Sequence, residues 1–204
     1  FNETPHLDHL AKRGLRFTHA YASAPVCSPY RAAFLTGQYP ARVGILDYLR
    51  PNSENGLSTD HITLPERLRD AGYATGMIGK WHLGHFNNAS TPRSRGFDHF
   101  YGFYSGGVDY FTHVSEESCD YGVYHANTTC YYDFWDNEVP QVGIGNTHQT
   151  ELLNQRAIDL VGRHVHARPV PGLPPRVLLL PLHVLDEVEG HVFLLFLLLA
   201  LALA

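Results

Sequence analysis

The run Thr63-Leu64-Pro65-Glu66-Arg67-Leu68-Arg69-Asp70-Ala71-Gly72-Tyr73-Ala74-Thr75-Gly76-Met77-Ile78-Gly79-Lys80 reads as a helix followed at once by a strand. Thr63 and Glu66 have the three-residue spacing of a capping box, in which each side chain satisfies the other's backbone N–H. Leu64, Leu68 and Ala71 form an apolar stripe at helical spacing, and Gly72 closes it. Tyr73 to Lys80 then reads as extended. A short capped helix feeding an apolar strand is the unit of a mixed α/β fold.

Residues 4–150 continue in that style. Thr4 caps a helix with Pro5 at its first position, Leu7 and Leu10 share one face, and Gly14 ends it. Leu15-Arg16-Phe17-Thr18 alternates as a strand does. Ser28 is a good N-cap and Pro29 a good first-turn residue for a helix through Ala32, Ala33, Phe34 and Leu35 to Gly37. A further helix spans Glu151 to Val161, with Leu153, Ala157 and Leu160 inward. Between 84 and 148 the Gly, Asn, Tyr and Asp content predicts long loops.

From about His164 the character changes. Pro169, Pro171, Pro174 and Pro175 interrupt the pattern, and a Leu-dominated run ends in thirteen apolar residues, Val192 to Ala204. A spanning helix needs about 20. A short membrane-associating tail, a buried strand or helix, and sequence foreign to the domain all fit. The abrupt boundary favours the last, which makes membrane association of the tail an unfavoured reading. The expected division is a domain at 1–162 and a Pro/Leu-rich tail at 163–204.

The chain has 204 residues, 44% hydrophobic, with twelve tyrosines, enough for one core. Fifteen basic against twenty acidic residues give a net charge of −5 without a basic block, which argues against nucleic acid as a partner. Fourteen histidines show no paired metal-ligand spacing. Asn88-Ala89-Ser90 and Asn127-Thr128-Thr129 are sequons, so Asn88 and Asn127 are candidate glycosylation sites. Of three cysteines, Cys119 and Cys130 can pair across a short loop, which leaves Cys27 single. The start at Phe1, without a charged and then apolar leader, reads as an internal cut.

Cys27 stands at the start of a predicted helix, where free N–H groups and the dipole favour an anion. Arg31, four residues on, shares its face and carries a fork suited to an oxyanion. A small buried Cys before a helix with a solvent-facing Arg fits the same spacing, and pattern alone favours it. Lys80 and His82, two apart in an extended segment, share one face. A cation beside a proton donor suits a leaving alkoxide and an oxyanion. A solvated Lys and a His packed near Trp81 fit as well.

Taken together, the segments resemble a family. Cys27-Ser28-Pro29-Tyr30-Arg31 with Leu35-Thr36-Gly37 resembles the first signature of type I sulfatases. Gly72-Tyr73-Ala74-Thr75 with Gly79-Lys80-Trp81-His82-Leu83-Gly84 resembles the second. Thr4-Pro5-His6-Leu7-Asp8 and Arg95-Gly96-Phe97-Asp98 are similar to flanking segments, and the run is closest to the arylsulfatase B-like branch. The resemblance covers residues 1 to about 162. It implies an alkaline-phosphatase-like α/β sulfatase domain, present as its N-terminal part, that hydrolyses sulfate esters of a sugar or an aryl alcohol.

It further implies that a formylglycine-generating enzyme in the endoplasmic reticulum converts Cys27 to formylglycine, which also ligates a calcium ion. Arg31 would hold the hydrated aldehyde, Lys80 a sulfate oxygen, and His82 the formylglycine hydroxyls. The Cys119/Cys130 spacing is similar to a disulfide loop of that branch, and the expected location is lysosomal or extracellular. Tyr30 departs from the small residue usual at its position. The family's paired metal-binding aspartates precede the Thr-Pro-His-Leu-Asp helix, and its later Asp-Asn pair and Lys find no match after 162. The chain alone is therefore expected to be inactive, and a truncated, non-catalytic product is the alternative. A phosphoryl-transferring relative is the other, disfavoured by Cys where Ser or Thr is usual. Pro175 to His183 is faintly similar to the family's next strand, with no role transferred to His183.

Overall fold

The computed structural model describes residues 3–14, 16–115, 131–166, 177–182 and 199–200. Helices α1 (Pro5–Arg13), α2 (Cys27–Thr36), α3 (Pro40–Val43) and α4 (Leu64–Asp70) precede strand β1 (Ala74–Lys80). Two single 3-10 turns, Asn88–Ser90 and Arg93–Arg95, lead to β2 (His99–Phe103) and the short hairpin β3 (Trp135–Asp136) and β4 (Val139–Pro140). Helix α5 (Gln149–His166), β5 (Val177–Leu182) and β6 (Leu199–Ala200) follow.

The sheet order is β4-β3-β2-β1-β5-β6. β1 is flanked in parallel by β2, with Gly76 opposite His99 and Lys80 opposite Phe103. On its other side it is flanked in parallel by β5, with Ala74 opposite Val177. The outer pairings are antiparallel. A strand paired on both edges and covered on both faces buries alternate side chains into two cores. Met77 of β1 joins Ala32, Leu35, Phe97, Phe100 and Trp81 on one face. Its neighbour Ile78 joins Tyr101, Phe134, Leu153 and Leu160 on the other. Arg156 of α5 ties the second layer down, pairing with Asp136 at 2.5 Å and lying 4.3 Å over the Tyr101 ring.

The capping box of α4 forms as predicted. Thr63 Oγ1 accepts from the Glu66 amide at 3.4 Å, and the Glu66 carboxylate accepts from the Thr63 amide at 2.6 Å. α2 ends at Gly37 in the left-handed region, as predicted, but it begins two residues earlier than expected. Val26, extended at φ −120°, is its N-cap and gives no side-chain hydrogen bond. Ser28 lies inside the first turn, where its Oγ accepts the Leu49 amide instead, at 3.0 Å.

Four expectations differ. Residues 16–26 contain no strand, and Phe17 is exposed; no described strand lies alongside to complete a ladder. The stretch expected to be loops contains β2, whose four inner residues are all buried, so no polar–apolar alternation marked it. α5 runs longer than expected at both ends, with Leu153 and Leu160 buried as predicted. Val177–Leu182, inside the segment assigned to the tail, forms the parallel neighbour of β1.

β1 and β2 approach closely where Gly79 faces Gly102. A Cβ on Gly102, at φ +154°, would sit 2.0 Å from the Gly79 carbonyl oxygen. Backbone cannot yield as a flexible side chain can. Gly102→Ala is therefore expected to cost about 2–3 kcal/mol, at the upper end for overpacking, read as a lower denaturation midpoint. An unchanged midpoint would contradict this register.

Candidate active site

Cys27 opens α2 as a free, partly buried thiol. One turn on, Arg31 is buried to 1% exposure rather than facing solvent, which excludes the bland reading of that residue. Its Nη1 donates to the Lys80 carbonyl at 2.6 Å, so the start of α2 is fastened to the C-terminal end of β1. Burial lowers the Arg31 pKa to about 10, opposed by the neighbouring Cys27 and Tyr30. The guanidinium stays charged at neutral pH. Tyr30, beside it, stacks on Phe34 at 6.3 Å, and burial raises its phenol to about 12.

Lys80 is the last residue of β1. His82 was expected to share its face along an extended segment, but the strand has ended and His82 sits at φ +56°. A histidine in the left-handed region is uncommon, and such outliers cluster where function fixes the backbone. The turn is held from β2, because the Trp81 amide donates to Phe103 O at 2.9 Å and the His82 amide to Tyr104 O at 3.0 Å. Trp81 is fully buried, its Nε1 shared between Gly84 O and Ser90 O at 2.9 Å each. The core thus grips the residue between the two polar ones, and both are placed by it.

His82 is 2% exposed. Its Nε2 lies 2.7 Å from the Leu49 carbonyl oxygen. A carbonyl only accepts, so Nε2 carries the proton and Nδ1 presents a lone pair. That Nδ1 is buried and has no hydrogen-bond partner. Burial, then the Lys80 charge, lowers the His82 pKa to about 3; Arg31 and His85 push the same way, and only the Leu49 bond opposes them. His82 is therefore a neutral acceptor among cations. The arrangement offers two fixed positive groups, a helix N-terminus and one proton acceptor, which can hold an oxyanion and receive a hydroxyl proton.

A stability prediction follows from the sign of this shift. The unfolded imidazole takes a proton near its ordinary pKa, whereas the folded one resists until about pH 3. The His82 contribution is thus fully present above about pH 6.5 and is lost as pH falls from there towards 3, by up to about 1.4 kcal/mol per pH unit. Urea melts between pH 7 and 5 should show this loss in the parent chain. His82→Asn, which tolerates the left-handed region, should flatten it. Equal slopes would contradict a neutral His82. His113, also buried and lowered, acts in the same direction but is common to both chains.

The other expected residues separate. Asn88 is exposed at the start of a 3-10 turn, and the Ser90 hydroxyl donates to Asn87 Oδ1 at 3.1 Å. Asn127, Cys119, Cys130 and His183 lie outside the described residues. Among the described residues, no three His, Cys, Asp or Glu gather as a metal site, so they do not fit calcium on their own. No helix among them is long and apolar enough to cross a membrane. Sequence reasoning missed the Leu49 carbonyl, which no side-chain pattern could reveal. It also missed His85, half-buried and stacked on Tyr104 at 6.0 Å.

The sequence profile of the family described as Sulfatase matches residues 1–164. Arylsulfatase J of Mus musculus is 35% identical over 170 residues, covering 82% of this chain and 27% of its own length. Steryl-sulfatase of Homo sapiens is 44% identical over 110 residues, covering 48% and 19%. The chain thus spans about a quarter or less of these relatives. The crystal structure of Ps i-CgsB superposes with a TM-score of 0.68 at 32% identity, covering 81% of this chain and 37% of that one. BT4656, solved with D-glucosamine-2-N,6-O-disulfate as its substrate, gives 0.54 at 29%, covering 78% and 26%. The sheet with helices on both faces is part of the alkaline-phosphatase-like fold of these sulfatases.

Proposed function

Because the chain belongs to the sulfatase family, we propose that it carries the nucleophile and the sulfate-binding half of a formylglycine-dependent sulfuric ester hydrolase site. The observation that supports this reading is the part-buried Arg31–Lys80 hydrogen bond, which ties the first signature segment to the second. The formylglycine-generating enzyme, with dioxygen as the oxidant, breaks the Cβ–S bond of Cys27, releases the sulfur and leaves Cβ as an aldehyde, to which water adds to give two hydroxyls on one carbon. One hydroxyl oxygen attacks the sulfate sulfur, the S–O bond to the alcohol breaks, and the alcohol leaves with a proton. The second hydroxyl then loses its proton, the aldehyde re-forms, and the C–O bond to sulfate breaks.

In that sequence Arg31 holds the oxygens of the hydrated aldehyde and Lys80 holds a sulfate oxygen. His82 accepts a formylglycine hydroxyl proton at Nδ1, the atom left open in its buried ring. Calcium, which the resemblance implies, would add positive charge against the sulfate. A sulfated carbohydrate is the preferred substrate, because Ps i-CgsB was solved with a neocarrahexaose and BT4656 with a disulfated glucosamine. A secretory route, lysosomal or extracellular, accommodates the modification, a Cys119–Cys130 disulfide and glycans on Asn88 and Asn127.

The test is sulfate release from an aryl sulfate and from sulfated disaccharides, by protein of the relatives' full length co-expressed with the modifying enzyme. Release that Cys27→Ala abolishes is expected. Equal release by parent and variant would overturn the reading.

A further inference from the structure

Ser28 follows the nucleophile-bearing residue and is fully buried, yet it does not cap its helix. Its Oγ accepts the Leu49 amide at 3.0 Å. The same residue, Leu49, turns its carbonyl to His82 Nε2 at 2.7 Å. Leu49 belongs to no helix or strand, so its backbone is not set by a ladder. A hydrogen bond at its N–H fixes the preceding peptide plane and so restrains the Cα from which its C=O projects. Two ties therefore run from the first turn of α2 to the end of β1. Arg31 reaches the Lys80 carbonyl directly, and Ser28 reaches His82 through the Leu49 backbone.

We propose that Ser28 is a positioning residue, which acts through the Leu49 backbone to hold His82 as its Nε2–H tautomer with Nδ1 open to the group at Cys27. The alternative tautomer would bring two lone pairs together at Leu49 O and put a donor where an acceptor is needed. Partners behind a functional imidazole commonly fix tautomer and orientation in this way. The bond to the Leu49 amide also gives the hydroxyl of a fully buried serine a partner. The functional meaning rests on Cys27 being the nucleophile-bearing residue; the tautomer itself does not.

The experiment is two-bond nitrogen–proton correlation NMR on the chain, which reports which His82 nitrogen bears the proton, together with exchange of the Leu49 amide. The parent should give a single Nε2–H tautomer and a protected Leu49 amide. In Ser28→Ala, folded as judged by its other amides, Leu49 exchange should rise by about tenfold or more and His82 should lose the single tautomer. Ser28→Thr, which retains the Oγ, should restore both. An unchanged tautomer in folded Ser28→Ala overturns the proposal. Should the alanine variant not fold, the parent spectrum decides: Nε2–H with a protected Leu49 amide supports the relay, and Nδ1–H refutes it. None of these readouts requires turnover, so a failed sulfate-release assay would sink the sulfatase reading alone.

Discussion

In protein of the relatives' full length, Lys80→Ala is expected to reduce sulfate-ester turnover by about 100- to 1,000-fold, the usual loss when one fixed stabiliser of a developing oxyanion is removed. The fold should survive, because two of the ties that Lys80 makes are backbone. Its carbonyl accepts from Arg31, and its place at the end of β1 opposite Phe103 is a ladder position. Both persist in alanine. The side-chain charge, by contrast, is felt inside the site, where it helps keep His82 neutral. The check is a pair of measurements on one preparation, turnover and thermal midpoint. A normal rate with a normal midpoint would leave Lys80 as a solvated strand-end residue.

Arg31→Ala should fail in both respects. The guanidinium is 1% exposed and is a charged donor to the Lys80 carbonyl. Its removal leaves a cavity beside the core of Ala32 and Leu35 and takes a buried donor from that carbonyl. A loss of about 3 kcal/mol is expected from the two together, with turnover down by about 100-fold or more. Arg31→Lys fills part of the space but lacks the planar fork, so it should recover stability better than rate. Equal recovery of both would mean that Arg31 acts by packing alone.

The local rules worked where the chain's own neighbours decide the outcome. The Thr63–Glu66 box, the Gly37 stop and the extended run to Lys80 depend on residues a few positions apart, and all three formed. They failed where a distant partner decides. Ser28 has every property of an N-cap, but Leu49, 21 residues away, claims its Oγ. Leu15 to Thr18 alternates correctly, but a strand needs a neighbour, and residues 16–26 have none among the described residues. β2 went unseen because a strand buried on both faces loses the alternation that marks a half-buried one.

The site was legible in a similar, partial way. Cys27, Arg31, Lys80 and His82 were named as candidates by type and spacing together with the resemblance, and Arg31 does reach from the first segment to the second. The reason offered for the Lys80 and His82 pair was wrong in detail, since a left-handed turn rather than a shared strand face places His82. Its backbone partners at Tyr104 and Leu49 carry no side-chain signature and emerge only from the fold.

The measurement closest to the central claim is tandem mass spectrometry of the tryptic peptide Phe17 to Arg31, from chain secreted together with the formylglycine-generating enzyme. An aldehyde at position 27, captured by a hydrazide and lost in Pro29→Ala, is the predicted result. Only an alkylatable thiol at Cys27, under conditions that convert a control sulfatase, would contradict the account.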